Sequence, residues 1–127
     1  MFKSLLFPID QSRQTFETAK AAIQIAQNHQ SQITLLSVLQ VEGTEMDRTQ
    51  LITSLLNRVK EQIEQAGVSC NVLEKQGTPA FVICDVADDL NMDLIVMGTR
   101  GINLEKDNKS TAARVIQLAP CPVLVVP

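Results

Sequence analysis

The chain has 127 residues, of which 45% are apolar and 20% are charged, and this suits one domain, residues 1–127, that buries its own core. No apolar run approaches the ~20 residues that a membrane span needs. The net charge of −3 and the absence of Trp and Tyr argue against a nucleic-acid surface, which needs basic clusters and stacking platforms. The composition therefore favours a globular protein with neither membrane nor nucleic acid as its partner.

The first half of the chain alternates between short apolar runs and amphipathic stretches. Apolar runs at 5–9 and 33–39 predict two buried strands. Apolar residues at helical spacing predict a helix over 13–30, with Ser12 at its cap position. A second amphipathic helix follows the second strand and ends at Gly67, a residue suited to the left-handed position after a helix.

The second half continues the same rhythm. A more polar run at 68–75 predicts a strand near a sheet edge, and Gly77, Thr78 and Pro79 predict a turn, a helix cap and a first helical residue. The remaining elements are a helix to Leu90, an apolar strand at 93–98, a short helix at 110–118 and a strand at 123–126. Strands and helices alternate throughout, which predicts an α/β fold with a five-stranded parallel sheet, doubly wound with helices on both faces.

In such sheets, ligands bind beyond the carboxyl ends of the strands, where the strand order reverses. The first and fourth strands are the most continuously apolar, so we expect them to be the central pair. Their carboxyl ends carry Asp10 and Gly98, which predicts a mononucleotide site there. For Asp10, an equally simple interpretation is that it caps the first helix together with Ser12.

The stretch at 97–111, MGTRGINLEKDNKST, follows the fourth strand and has two glycines three residues apart. From Gly98 to Val115 there are four basic and two acidic residues, so this segment is positive within a negative chain. Backbone N–H groups at Ser110 and Thr111 open the last helix, whose dipole favours an anion. The alternative is a turn whose charges only keep it solvated.

Other chemistry finds little support. Lys109-Ser110 lacks the preceding glycine of a Walker A loop, His29 is the only histidine, and no serine lies in a G-x-S-x-G elbow. The acidic pairs Asp88-Asp89 and Glu45-Asp47 are expected to be solvated charges near a helix end and in a polar loop. The three cysteines form no C-x-x-C pair, which fits small buried apolar residues in a reducing cytoplasm. The sequence predicts neither an enzyme nor a metal site.

Four motifs in order, PIDQS, GTPA, DLIVMGTRG and APCPVLVV, resemble the universal stress protein family over the whole chain. The resemblance implies an adenine nucleotide alpha-hydrolase-like fold, a cytoplasmic role in stress physiology, homodimers and, in one branch, ATP held by a G-x2-G-x9-G-[S/T] loop. Here only seven residues separate Gly101 from Lys109, and Lys109 stands where that branch has glycine. The departure leaves AMP, ADP and ATP as alternatives, with Mg²⁺ accompanying a triphosphate.

The resemblance also implies which residues contact the nucleotide. Ile9 and Asp10 would lie near the base, and the main chain of Val38 would meet adenine, although Val38 is equally compatible with a plain core position. The residues implied on the ribose side are Met97, Gly98 and Arg100, and those implied at the phosphates are Gly101, Lys109, Ser110 and Thr111.

Two functions are left open by the sequence. One is an adenine-nucleotide-binding regulatory protein, and the other is a dimeric interaction module that has lost its ligand. The last strand is as apolar as a central strand but falls at a sheet edge, and an uncovered apolar edge tends to pair with another chain. We therefore expect a homodimer joined antiparallel about a twofold axis through Val123, Leu124, Val125 and Val126.

Overall fold

The computed structural model describes residues 2–9, 15–39, 46–98 and 111–127. Five strands and four helices alternate along these segments, as predicted. In chain order the elements are β1 (Ser4–Pro8), α1 (Thr15–His29), β2 (Gln32–Leu39), α2 (Met46–Gln65), β3 (Ser69–Gln76), α3 (Pro79–Asp89), β4 (Leu94–Gly98), α4 (Thr111–Leu118) and β5 (Val123–Val126). Apart from the start of α2, the bounds differ from the predicted ones by a residue or two, which is the usual uncertainty at element ends.

The strands form one sheet in the order β3-β2-β1-β4-β5, and every pairing between neighbours is parallel. The prediction that the first and fourth strands lie side by side within the sheet is therefore confirmed. So is the placement of β3 and β5 at the two edges. The order reverses at β1, because the chain moves from β1 to β2 and β3 on one side and then returns to β4 and β5 on the other.

The helices cover both faces of the sheet, and each face has its own apolar cluster. The first cluster joins one face of the sheet to α1 and α2 through fully buried residues such as Leu5, Ile33 and Ile63. The second joins the opposite face to α3 and α4 through residues such as Leu6, Ile95 and Val115. Residues that alternate along β1 therefore enter opposite clusters, as the period of two in a strand requires. This arrangement confirms the predicted doubly wound fold.

The helix ends show which local predictions were right. Gly67 has a φ of +81°, the left-handed conformation predicted for it. Thr78 is the N-cap of α3 with Pro79 following it, but its side chain makes no capping hydrogen bond. The polar-loop location predicted for Asp47 was wrong, because α2 begins at Met46 and its first turn includes this residue. Ser12 and Glu45 lie outside the described residues.

At the amino edge of the sheet, the side chain of Asp93 links two strands by hydrogen bonds. The carboxylate of Asp93, just before β4, accepts hydrogen bonds from the backbone N–H groups of Lys3 at 2.9 Å and Ser4 at 3.0 Å. These bonds hold β1 and β4 together at their beginnings. In the part of the chain that the structure describes, no helix is both long enough and apolar enough to cross a membrane.

Candidate functional site

The carboxyl-edge site is the place where the hydrogen-bond ladder between β1 and β4 ends. The two strands pair only at Leu5↔Leu94 and Leu6↔Ile95. Along a strand, the backbone groups of successive residues face the two neighbouring strands in turn. The Ile9 N–H donates to the Leu36 carbonyl of β2 at 2.9 Å. The nitrogen of the preceding residue, Pro8, therefore faces β4. Proline has no N–H, so the next bond of this ladder cannot form.

Two helices begin at this edge, one from each face of the sheet. A helix that follows a parallel strand begins at that strand's carboxyl end, so α1 begins near the end of β1 and α4 near the end of β4. Thr15 of α1 and Thr111 of α4 are their first residues. Because α1 packs in the first cluster and α4 in the second, their positive ends flank the carboxyl edge from opposite sides. Such an arrangement favours an anion between them.

Gly98 is the last residue of β4, and because it has no side chain, Thr18 of α1 can approach it closely. A Cβ atom built on Gly98 would lie 3.0 Å from the hydroxyl oxygen of Thr18 and 3.7 Å from the Val126 carbonyl oxygen. The φ of Gly98 is not positive, so this glycine is not required for a left-handed turn. Glycine is favoured here because Thr18, only 3% exposed, lies where a side chain at this position would need space.

Three other predicted site residues lie at the same edge but divide between the two faces. Ile9 is half-buried and packs on the α1–α2 side, whereas Val38 and Met97 pack on the α3–α4 side. Met97 is 5% exposed, so its side chain is a core residue and only its backbone is available to a ligand. Val38 is half-buried, and both interpretations of it, core residue and adenine contact, fit its position.

The structure brings together five of the predicted residues at one edge. They are Ile9, Val38, Met97, Gly98 and Thr111. The other five lie outside the described residues, and their assignment stays a prediction. They are Asp10, Arg100, Gly101, Lys109 and Ser110.

Sequence reasoning missed the buried hydroxyls near this edge. Thr15, Thr18 and Ser37 are each less than 5% exposed, the first two in the first turn of α1 and the third near the end of β2. The signal for Thr18 was present, because it lies among the alanines of the buried face of α1, where an apolar residue is expected. What no periodicity could show is that Thr18 meets Gly98, which is eighty positions further along the chain.

The cysteines are structural rather than part of this site. Burial raises the pKa of the Cys70 thiol to about 11, with a further upward contribution from Glu64. Burial also raises the pKa of Cys84 and that of Cys121, the second helped by Asp93. A raised pKa keeps the thiol protonated and unreactive near neutral pH. Cys70 and Cys84 are buried, as predicted, whereas Cys121 is only half-buried. Among the residues that the structure describes, no group of three His, Cys, Asp or Glu side chains could hold a metal ion.

The comparison with known proteins agrees with this architecture. The model of the universal stress protein family matches residues 1–127. The chain belongs to the universal stress protein family. A member from Synechocystis is 43% identical over 136 aligned residues, covering 100% of this chain and 87% of the relative.

Solved structures of the family share the fold. One from Archaeoglobus fulgidus, in complex with dAMP, superposes with a TM-score of 0.83 at 20% identity and covers 100% of both chains. Another universal stress protein, in complex with cAMP, gives a TM-score of 0.80 at 19% identity and covers 98% of this chain and 97% of its own. At these identities the likeness establishes the fold alone.

Proposed function

We propose that this protein is a cytoplasmic regulator in the stress response, and that it binds an adenine nucleotide at the carboxyl-edge site without converting it. The observation that carries the proposal is the arrangement around the ends of β1 and β4. The amino ends of α1 and α4 flank these strand ends, and Gly98 presents backbone there instead of a side chain. A phosphorylated ligand suits this setting, because the positive ends of two helix dipoles attract anions.

Two family members support the choice of ligand. The Archaeoglobus fulgidus protein was solved with dAMP and another member with cAMP. Both ligands are adenine nucleotides with one phosphorus atom. This chain departs from the triphosphate-binding loop of its family at Lys109, in a loop two residues shorter. We therefore propose AMP or ADP as well as ATP, with Mg²⁺ required only by the triphosphate.

Lys109 is proposed to compensate for the missing glycine. A glycine lets the backbone approach a phosphate closely, whereas a lysine reaches a phosphate from further away as a point charge. Binding through a partly exposed charge weakens as salt rises, because mobile ions screen it. Nucleotide affinity in this protein should therefore depend on ionic strength.

A dimeric interaction module without a ligand is the second candidate, and the edge strand β5 favours it. Leu124 is 37% exposed, and the outer side of β5 has no neighbouring strand in the sheet. A second copy that pairs there antiparallel would cover this edge. Dimerisation is compatible with nucleotide binding, so the two candidates differ only in whether a nucleotide binds.

Thermal melting with and without AMP, ADP, ATP and Mg²⁺–ATP tests the proposal. A ligand present at a hundred times its dissociation constant adds about 2.7 kcal/mol to the free energy of unfolding, which moves the melting temperature of a domain of this size by several degrees. GTP is the matched control for the base. If no adenine nucleotide at millimolar concentration raises the melting temperature, the interaction-module function replaces the nucleotide-binding one.

A further inference from the structure

A groove runs between α3 and α4 on the face of the sheet away from α1 and α2. The cavity has a volume of about 380 Å³, and the residues that line this α3–α4 groove are Phe81, Cys84, Asp85, Asp88, Leu118 and Pro120. The α3 residues among them follow a spacing of three and four, so they share one side of the helix. Cys84 is buried, and its thiol donates to the Val115 carbonyl of α4 at 3.9 Å, which places it between the two helices.

Exposed apolar side chains are concentrated on the two helices that form this groove. The large apolar residues that are exposed in the described part of the chain are Phe81, Leu90, Ile116, Leu118 and Leu124. Four of them belong to α3, its carboxyl cap or α4, and Phe81 and Leu118 line the groove itself at 53% and 49% exposure. Leu124 alternates with Val123 and Val125 on β5 and so faces the other side of the sheet. The described side chains of α1 and α2 expose no large apolar residue. Exposed apolar area collected in one place indicates a contact surface.

The charge on α3 has one sign, whereas α4 carries a single cation, Arg114, one turn before Leu118. α3 contains three carboxylates, Asp85, Asp88 and Asp89, and no basic residue. Among the described residues the one ion pair joins Lys20 to Glu17 on α1, so these carboxylates have no cationic partner there. Asp88 and Asp89 also occupy the last turn of α3, where the negative end of the helix dipole disfavours them. Asp88 and Asp89 therefore carry negative charge at a position where it lowers the stability of α3.

We propose that the α3–α4 groove docks a basic amphipathic segment of a partner protein. An apolar side chain of that segment would pack against Phe81 and Leu118, and its Lys or Arg side chains would pair with Asp85 and Asp88. Charge complementarity selects this partner, because a cation at the rim relieves the repulsion between the carboxylates and the end of α3. The helices run opposite to the strands, so Asp88 lies toward the amino edge of the sheet, away from the proposed nucleotide site.

A designed peptide is a suitable probe. It carries leucines at helical spacing with flanking lysines and a fluorescent label, and a second peptide of the same length has glutamate in place of each lysine. We expect the protein to bind the lysine peptide saturably, with an affinity that falls as salt rises, and not to bind the glutamate peptide. Replacing Asp85 and Asp88 together by Asn should weaken binding by about fivefold, and Phe81→Ala by about tenfold.

A matched variant separates this groove from a general attraction of cations to an acidic protein. Glu61 and Glu64 on α2 are exposed, are also three residues apart, and their joint change to Gln removes the same charge. This control should bind the lysine peptide as the parent does. Equal losses in the two double variants would overturn the proposal, as would unchanged binding in both the Asp85/Asp88 variant and Phe81→Ala.

Stability and self-association provide two further readouts. Asp88→Asn should raise the melting temperature of the free protein while it weakens peptide binding, since it removes a charge that the helix dipole opposes. If Asp88→Asn lowers the melting temperature, the carboxylate is structural and the proposal fails. If Phe81→Ala instead converts a dimer to a monomer in sedimentation, the groove is an interface between two copies of this chain and the proposal is wrong.

Discussion

At the residue scale, the contact between Gly98 and Thr18 is the most specific feature of the carboxyl-edge site. Gly98→Ala would place a Cβ atom 3.0 Å from a hydroxyl that is almost wholly buried. Either α1 or the end of β4 must then shift by a few tenths of an ångström. We expect the free energy of unfolding to fall by about 1 kcal/mol, measured by denaturation in urea.

A double-mutant cycle identifies the contact as the cause. Thr18→Ala removes the hydroxyl that the new methyl group would meet, so Gly98→Ala should cost less in that background than in the parent. The expected coupling energy is about 0.5–1 kcal/mol. Additive effects of the two changes would show that the strain lies elsewhere, for instance in the backbone of β4.

The same contact shows where sequence reasoning ends at this scale. Gly98 was predicted to be a site residue because it follows a buried strand at the reversal of strand order. No contact of Gly98 with another element was predicted, whereas the structure shows a close approach by the Thr18 side chain. Periodicity assigns a residue to a face of its own element, but it does not determine which side chain of another element meets it. The contribution of Pro8 was missed for the same reason, since the direction of its nitrogen depends on the register with β4.

At the element scale, β5 is predicted to be the dimer interface. Val123 and Val125 pack toward the second apolar cluster, and a charge at either position would disturb the core. Leu124 alternates with them and is partly exposed, so Leu124→Lys changes the surface instead. Two copies paired antiparallel across a twofold axis would bring the two lysines near each other. At micromolar concentration we expect the parent protein to sediment as a dimer and the Leu124→Lys variant to sediment as a monomer.

The other edge strand supplies the control for this experiment. Asn71 on β3 is exposed, and Asn71→Lys adds the same charge to the opposite edge of the sheet. This variant should remain a dimer. A monomeric parent, or a dimer that persists in Leu124→Lys, would remove β5 from the interface.

The elements themselves were predictable because each has a strong periodic pattern. β4 and β1 are continuous apolar runs, as expected for strands covered on both faces, and β3 is more polar because it lies at an edge. α2 was harder to delimit, since residues 46–50 are mostly polar and resemble a loop. Its first turn is helical despite that composition, because propensity alone is a weak guide where later turns pack against the sheet.

At the scale of the whole molecule, the fold and its family followed from the order of elements and four short motifs, whereas the identity of the proposed nucleotide did not. The α/β alternation restricts the ligand to the carboxyl edge of the sheet. The alternation does not determine how many phosphates the ligand carries, because that number depends on the contacts between the ligand and the segment that joins β4 to α4. The α3–α4 groove was also unpredicted, since Phe81 and Leu118 belong to different helices and only their packing brings them to one surface.

The central claim is that an adenine nucleotide binds at the carboxyl edge. Nuclear magnetic resonance of the backbone amides tests both whether a nucleotide binds and where it binds. Titration of AMP into the 15N-labelled protein should shift the amide signals of Ile9, Val38, Gly98 and Thr111, which lie at that edge. The signals of Ser4 and Gln32, at the amino ends of β1 and β2, should stay in place. No shift with AMP, ADP or ATP at millimolar concentration, or shifts confined to the amino edge, would contradict the account.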